Sequence, residues 1–336
     1  MNNGVRLGDA YDATLERIRA QDGEKAKLAM ATLMWVCHSE RPLQPIELCN
    51  ALAVEIGSAD FDPNNVPPIA TLLGCCQGLI TVDKEASTVR LIHYTLQEYL
   101  SAYPDLFTTA HSTIAETCLA YLNSPWVRKL SLCPIPDYKS MLFLKYSSRH
   151  WGAHAKRQFS DCAMSLALEL LNQYENHISA IILLYQFWSN CITHNDSNNR
   201  SNDDSDDDSN DDSNNYSNDD SSRDFGGTSV SSLFSGLHCA SFFGLVELAT
   251  MLIDKKVGEI NQEDCTGLTP LSWAAENGHE EVVRLLLEQE NIDHDCRDTE
   301  GTTPLQLAAR NGHEDVVKLL LNKGNVNINK DRKSVV

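Results

Sequence analysis

The chain has 336 residues, 42% of them hydrophobic, enough apolar material for two or three folded cores, which excludes a wholly disordered protein. Its 47 acidic against 27 basic side chains leave a formal net charge of −20, which argues against a surface built to neutralise a polyanion. Eleven cysteines without a C-x-x-C pair, and no secretory apolar stretch after Met1, point to reduced thiols and a cytoplasmic location. The most apolar stretch, 178–192, is broken by Gln186, Ser189 and Asn190. It is shorter than the roughly 20 residues of a spanning helix, so no membrane contact is expected.

In chain order, Tyr11, Leu15 and Ile18 mark a first helix within 1–24. Leu28, Ala31 and Trp35 lie along a second, Pro45 opens a third carrying Leu48 and Leu52, and Pro67-Pro68 precede a fourth with Ile69, Leu72 and Leu73. Two β-rich runs, Leu79 to Val82 and Val89 to His93, flank the polar turn Asp83 to Thr88 and predict a hairpin. Thr95 with Glu98 predicts a capping box for the next helix, Leu96 to Tyr103. Helices followed by a two-stranded hairpin are the order of a winged helix, placed at 25–105, with a helical region over 106–192.

The tract from Asn195 to Asp224 contains only Asn, Asp, Ser, two Arg and Tyr216, and 193–228 is expected to be a disordered acidic linker between two folded halves. Ser201, Ser205, Ser209, Ser217 and Ser221 each have Asp three residues on, so the tract reads either as a solvated spacer or as a phosphorylated switch.

Beyond it runs a 34-residue repeat: Leu237, Leu271 and Leu305 share one register position, as do Ala240, Ala274 and Ala308, and Gly244, Gly278 and Gly312. Thr269 can cap a helix that Pro270 opens, Gly278 can end it in the left-handed conformation, and Val282, Val283, Leu286 and Leu287 form the apolar face of a second helix. The segments "TGLTPLSWAAENGHEEVVRLLL" and "EGTTPLQLAARNGHEDVVKLLL" resemble the ankyrin repeat, T-P-L-x-x-A-A-x-x-G-H-x-x-V-V-x-L-L-L. Three copies are assigned, 229–263, 264–297 and 298–331, the first degenerate with Ser235-Gly236 in place of Thr-Pro. The third keeps an apolar second helix, so the array reads as cut short. The fold class expected is mainly α: a winged helix and helical region, a linker, and an ankyrin solenoid.

A second resemblance rests on "LMWVCHSERPLQPIELCNALAV" and "GLITVDKEASTVRLIHYTLQEYL", continuing through "HSTIAETCLAYL" and "YSSRHWGAHAK". These are similar to the winged-helix domain, of the type named after GPI inositol-deacylase, that follows the NACHT nucleotide-binding module in fungal NACHT–ankyrin proteins, relatives of NOD-like receptors. The resemblance implies that 1–24 is the helical remnant of that upstream module. It implies a signalling role and, at His93 in "IHYTL", a histidine that contacts a nucleotide β-phosphate when a NACHT module is joined. The residues alone allow His93 to be a packing group at a strand end.

The Walker A loop of such modules has no counterpart, since no Gly-Lys dipeptide occurs, and no G-x-S-x-G elbow is present. No catalytic residue and no cofactor is therefore expected, and the chain is read as a non-enzyme. His150 and His154, four apart, lack a third ligand by spacing and read as an ordinary helix surface, so no metal is expected. His279 and His313 are assigned hydrogen bonds within the repeat turns. Pro67 to Gln77, the segment that would enter a DNA groove, has no Lys or Arg, which argues against nucleic acid.

The leading expectation is a protein-interaction scaffold whose ankyrin stack binds a protein partner through Ser272, Trp273, Glu276, Asn277, Gln306, Arg310 and Asn311. Trp273 is its anchor or, alternatively, an inter-repeat core residue. The alternative function is the regulatory part of a STAND-type nucleotide switch whose P-loop lies on another segment. Oligomeric state does not follow from the sequence.

Overall fold

The computed structural model describes residues 3–58, 60–130, 141–184 and 233–323, with side chains from residue 8 onward. The expected linker at 193–228 lies outside the described residues. Helices α1 (Asn3–Arg19), α2 (Gly23–His38), α3 (Pro45–Leu52) and α4 (Ile69–Cys75) lead into strands β1 (Ile80–Asp83) and β2 (Thr88–Leu91) and helix α5 (Tyr94–Ala102). The strands pair antiparallel from Ile80↔Leu91 to Asp83↔Thr88. Asp83 Oδ1 accepts the amides of Glu85 and Ala86 and so builds the turn between them.

The third helix starts where Pro45 predicts, with Gln44 and Glu47 capping each other. Glu47 is buried, and Arg41 grips both its oxygens at 2.6 and 2.8 Å. That fork fixes the Arg41-Pro42-Leu43 turn, from which the Leu43 carbonyl reaches the Val89 amide of the hairpin at 2.8 Å.

Two expectations here are corrected. Helix α5 begins at Tyr94 with His93 as its N-cap, and the Thr95–Glu98 capping box does not form, because the Thr95 hydroxyl is engaged by Tyr11 and by His93, each at 2.8 Å. The division at residue 24 also has no counterpart in packing. Leu15 and Ile18 of α1 are buried in the common core, and Gln21 donates to the Cys75 carbonyl at 2.8 Å.

Helices α6 (Ala110–Asn123), α7 (Pro125–Arg128), α8 (Leu142–Arg157) and α9 (Asp161–Leu171) follow, with a further helical stretch, α10, over 178–184. Rings of Trp35, Tyr121, Phe143 and Tyr146 meet at 4.9–6.0 Å, so the winged helix and this helical region share one core. Among the described residues no helix is long and apolar enough to cross a membrane.

The repeats form three helix pairs: α11 (Gly236–Phe243) with α12 (Val246–Asp254), α13 (Pro270–Glu276) with α14 (Glu280–Leu287), and α15 (Pro304–Arg310) with α16 (Glu314–Asn322). Ser235, Thr269 and Thr303 cap the first helix of each pair. Gly244 and Gly278 sit at φ +72° and +69°, and a Cβ there would lie 2.6 and 2.5 Å from the rings of His279 and His313 of the next repeat. Only glycine fits both demands. Those imidazoles therefore bond between repeats, at 2.9 Å to the carbonyls of Phe242 and Glu276, and not within their own turn as expected.

The expectation of two halves joined only by a tether is overturned. The first repeat docks on α8 and on α9 with the turn that follows it: the Phe243 ring lies over Gly152 and 5.3 Å from Trp151, and Tyr174 meets Phe234 at 6.2 Å, while Lys156 of α8 also reaches His279 of the second repeat at 3.2 Å. A Cβ at position 236 would stand 2.6 Å from the Leu171 carbonyl oxygen. The Ser-Gly at 235–236 that reads as decay is thus the contact that lets this repeat seat on the helical region.

Burial holds His177 and His279 down to about 4 and lowers His238 as well. Each stays neutral in the folded chain but takes a proton near pH 6.5 when unfolded. The contribution of these histidines to stability is therefore complete above about pH 6.5 and falls as pH drops toward 4, by at most about 1.4 kcal/mol per pH unit for each. Urea melts at stepped pH will show this slope, and His279→Gln will flatten it.

Candidate interaction surface

The turns between repeats are built by aspartates. Asp264 Oδ1 accepts the amides of Thr266 and Leu268 at 2.8 and 3.1 Å, and Asp298 Oδ1 accepts those of Glu300 and Thr302 at 3.0 and 2.7 Å. Because these carboxylates satisfy the turn backbone, the edge of the stack is rigid before anything binds.

Of the seven expected contact residues, Gln306, Arg310 and Asn311 are exposed along α15 and its C-terminal turn, and Asn277 is half-buried. Gln306 and Arg310, with Arg297, Glu300, Gly301 and Thr302, line a shallow open basin of about 510 Å³. Glu276 lies beneath this row, its side chain only 9% exposed, with Oε1 3.4 Å from the Arg310 guanidinium and its backbone carbonyl taking the Asn311 amide at 3.0 Å. Its Oε2 is buried without a hydrogen bond. Burial raises its pKa to about 7 against the pull of Arg310, with Asp298 and Asp264 adding to the rise.

Ser272 and Trp273 are corrected: both are buried and present no surface to a partner. The Trp273 ring meets Phe234 and Phe242 edge-on at 5.5 and 5.6 Å, and its Nε1 donates to Asp264 Oδ2 at 2.8 Å. Its position in the helix faces the preceding repeat, so of its two sequence readings the inter-repeat one holds.

His93 is exposed, not packed at the strand end. Its Nδ1 accepts the Thr95 amide as a helix cap, and its ring lies 4.4 Å from the exposed Tyr94, beside exposed Ile92. His93→Ala should destabilise the winged helix by about 0.5–2 kcal/mol through the lost cap, measurable as a lower urea midpoint.

His150 and His154 are also corrected. His154 has no exposed surface, and His150 is half-buried against Tyr146 at 4.7 Å, because this face of α8 lies against α6 and the loop after α2 rather than solvent. The fold brings His111 and Glu40 beside His154, a grouping that sequence spacing misses because the three are separated by tens of residues and follow no motif.

Residues 15–108 match the family model described as GPI inositol-deacylase, winged helix domain, and residues 237–332 match that described as ankyrin repeats, in three copies. No curated protein matches the chain. The helix order, the paired hairpin, the repeat geometry and both matches agree: the chain carries a winged-helix domain of the GPI inositol-deacylase type followed by ankyrin repeats.

Proposed function

We propose that the chain is a non-enzymatic scaffold whose ankyrin stack holds a protein partner along the exposed edge of its last two repeats. The observation that carries this reading is the row Gln306, Arg310 and Asn311, exposed above the open basin on a backbone whose own hydrogen bonds are already made. Ankyrin repeats generally serve protein partners, and a preorganised backbone edge lowers the ordering cost of binding. No cofactor belongs to this reading. Nor does nucleic acid, since α4 and its flanks, Pro67 to Gln77, offer no Lys or Arg to phosphate.

The finer proposal is a cytoplasmic signalling polypeptide of the NACHT–ankyrin kind, in which the winged helix regulates and the stack recognises. The test uses the full chain and a partner identified by cross-linking. Arg310→Glu with Gln306→Ala should weaken binding more than about tenfold while leaving the urea midpoint within about 0.5 kcal/mol of the parent, as befits exposed side chains. Unchanged affinity would sink the reading.

The exposure of His93 favours a second reading, the regulatory part of a nucleotide switch whose P-loop lies elsewhere. An imidazole free to donate to a β-phosphate suits that role. Calorimetry of ADP with the chain joined to a P-loop module decides it: His93→Ala must weaken ADP, and equal affinity dismisses the idea.

A further inference from the structure

Histidines gather where the winged helix meets the helical region. His38 closes α2, Glu40 lies in the loop after it, His111 is in the first turn of α6, and His154 lies in the last turns of α8. His111 and His154 face one another Nδ1 to Nδ1 at 2.8 Å, and the His154 Nε2 is 3.8 Å from Glu40 Oε1. With one donor atom from each, Glu40, His111 and His154 fall within 4.8 Å of one another. The His38 ring stands 5.6 Å from that of His111, with its own Nδ1 on the Met34 carbonyl.

One hydrogen bond joins His111 to His154 through their Nδ1 atoms, and it brings the two rings, from α6 and α8, together beside Glu40. The Tyr146 hydroxyl lies 2.9 Å from His154 Nε2 and also takes the Glu40 amide at 3.2 Å, so one group fixes the His154 ring and the Glu40 backbone relative to each other. Arg157 holds both carboxylate oxygens of Glu40 and fixes that side chain beside the histidines.

We propose that Glu40, His111 and His154 form a zinc site, with the fourth position left to water. Two imidazoles and a carboxylate are a donor set for a divalent first-row ion, zinc foremost. With Zn–N near 2.0–2.1 Å, tetrahedral ligand nitrogens stand about 3.3 Å apart, so binding opens the His111–His154 gap by about half an ångström. Glu40 and His111, neither of them fully buried, supply that movement. Because the ligands come from the loop after α2, from α6 and from α8, the ion ties the winged helix to the helical region, and zinc raises the stability of the joint.

The full chain, stripped of metal, is titrated with Zn²⁺ by calorimetry and with Co²⁺ by visible absorption, and melted with and without Zn²⁺. One bound equivalent, tetrahedral Co²⁺ bands without a sulfur charge-transfer band, and a melting midpoint raised by zinc are expected. His111→Gln, which can still accept from His154, and Glu40→Gln should each weaken Zn²⁺ more than about tenfold and abolish the midpoint shift. If one variant fails to fold by circular dichroism, the other decides. Absence of a bound equivalent, a thiolate band, or affinity unchanged in a folded variant overturns the site.

Discussion

Trp273→Ala is expected to unfold the ankyrin stack before it touches any partner. The indole is 1% exposed and is one of the largest wholly enclosed side chains, so truncation opens a cavity worth about 3–5 kcal/mol. It also removes the donor to Asp264 Oδ2, and Asp264 is the carboxylate that shapes the turn at Thr266 and Leu268. Three stacked repeats are near the minimum that holds together, so a loss of this size in the middle copy removes the cooperative unit. Urea unfolding followed by circular dichroism should show the repeat transition shifted or missing. A variant that melts like the parent yet loses its partner would return Trp273 to the surface role.

Phe243→Ala should uncouple the repeats from the helical region. Its ring fills the space over Gly152, packs 5.3 Å from Trp151 and 4.9 Å from Phe242, and its loss is worth about 3–5 kcal/mol. The converse change, Gly152→Ala, places a methyl 2.2 Å from the same ring and forces it aside, at about 1–3 kcal/mol. Both variants should turn one unfolding transition, followed by circular dichroism in urea, into two. A single transition at the parental midpoint in both would show that the docking contributes nothing to stability.

Local order was legible where each choice is made within a few residues. Pro45 with Gln44 and Glu47, the polar turn between two β-rich runs, and the Thr-Pro helix starts with glycine ends all formed as their chemistry demands. The cap of α5 was misread, because Thr95 looks like a capping residue until Tyr11, from a helix 84 residues away, takes its hydroxyl. The candidate surface was half legible. Gln306, Arg310 and Asn311 are exposed as expected, whereas Ser272 and Trp273 vary from the repeat pattern for a packing reason and not a binding one.

Periodicity, capping residues and the 34-residue register by themselves determined a winged helix, a helical region and an ankyrin stack, since each records an apolar face that must be covered by a near neighbour. Tertiary structure alone decided that the first repeat seats on α8 and α9, that His154 is enclosed with His111 and Glu40, and that Glu276 is buried beneath Arg310. Those outcomes depend on which faces from distant segments meet, and no spacing along the chain encodes such a meeting.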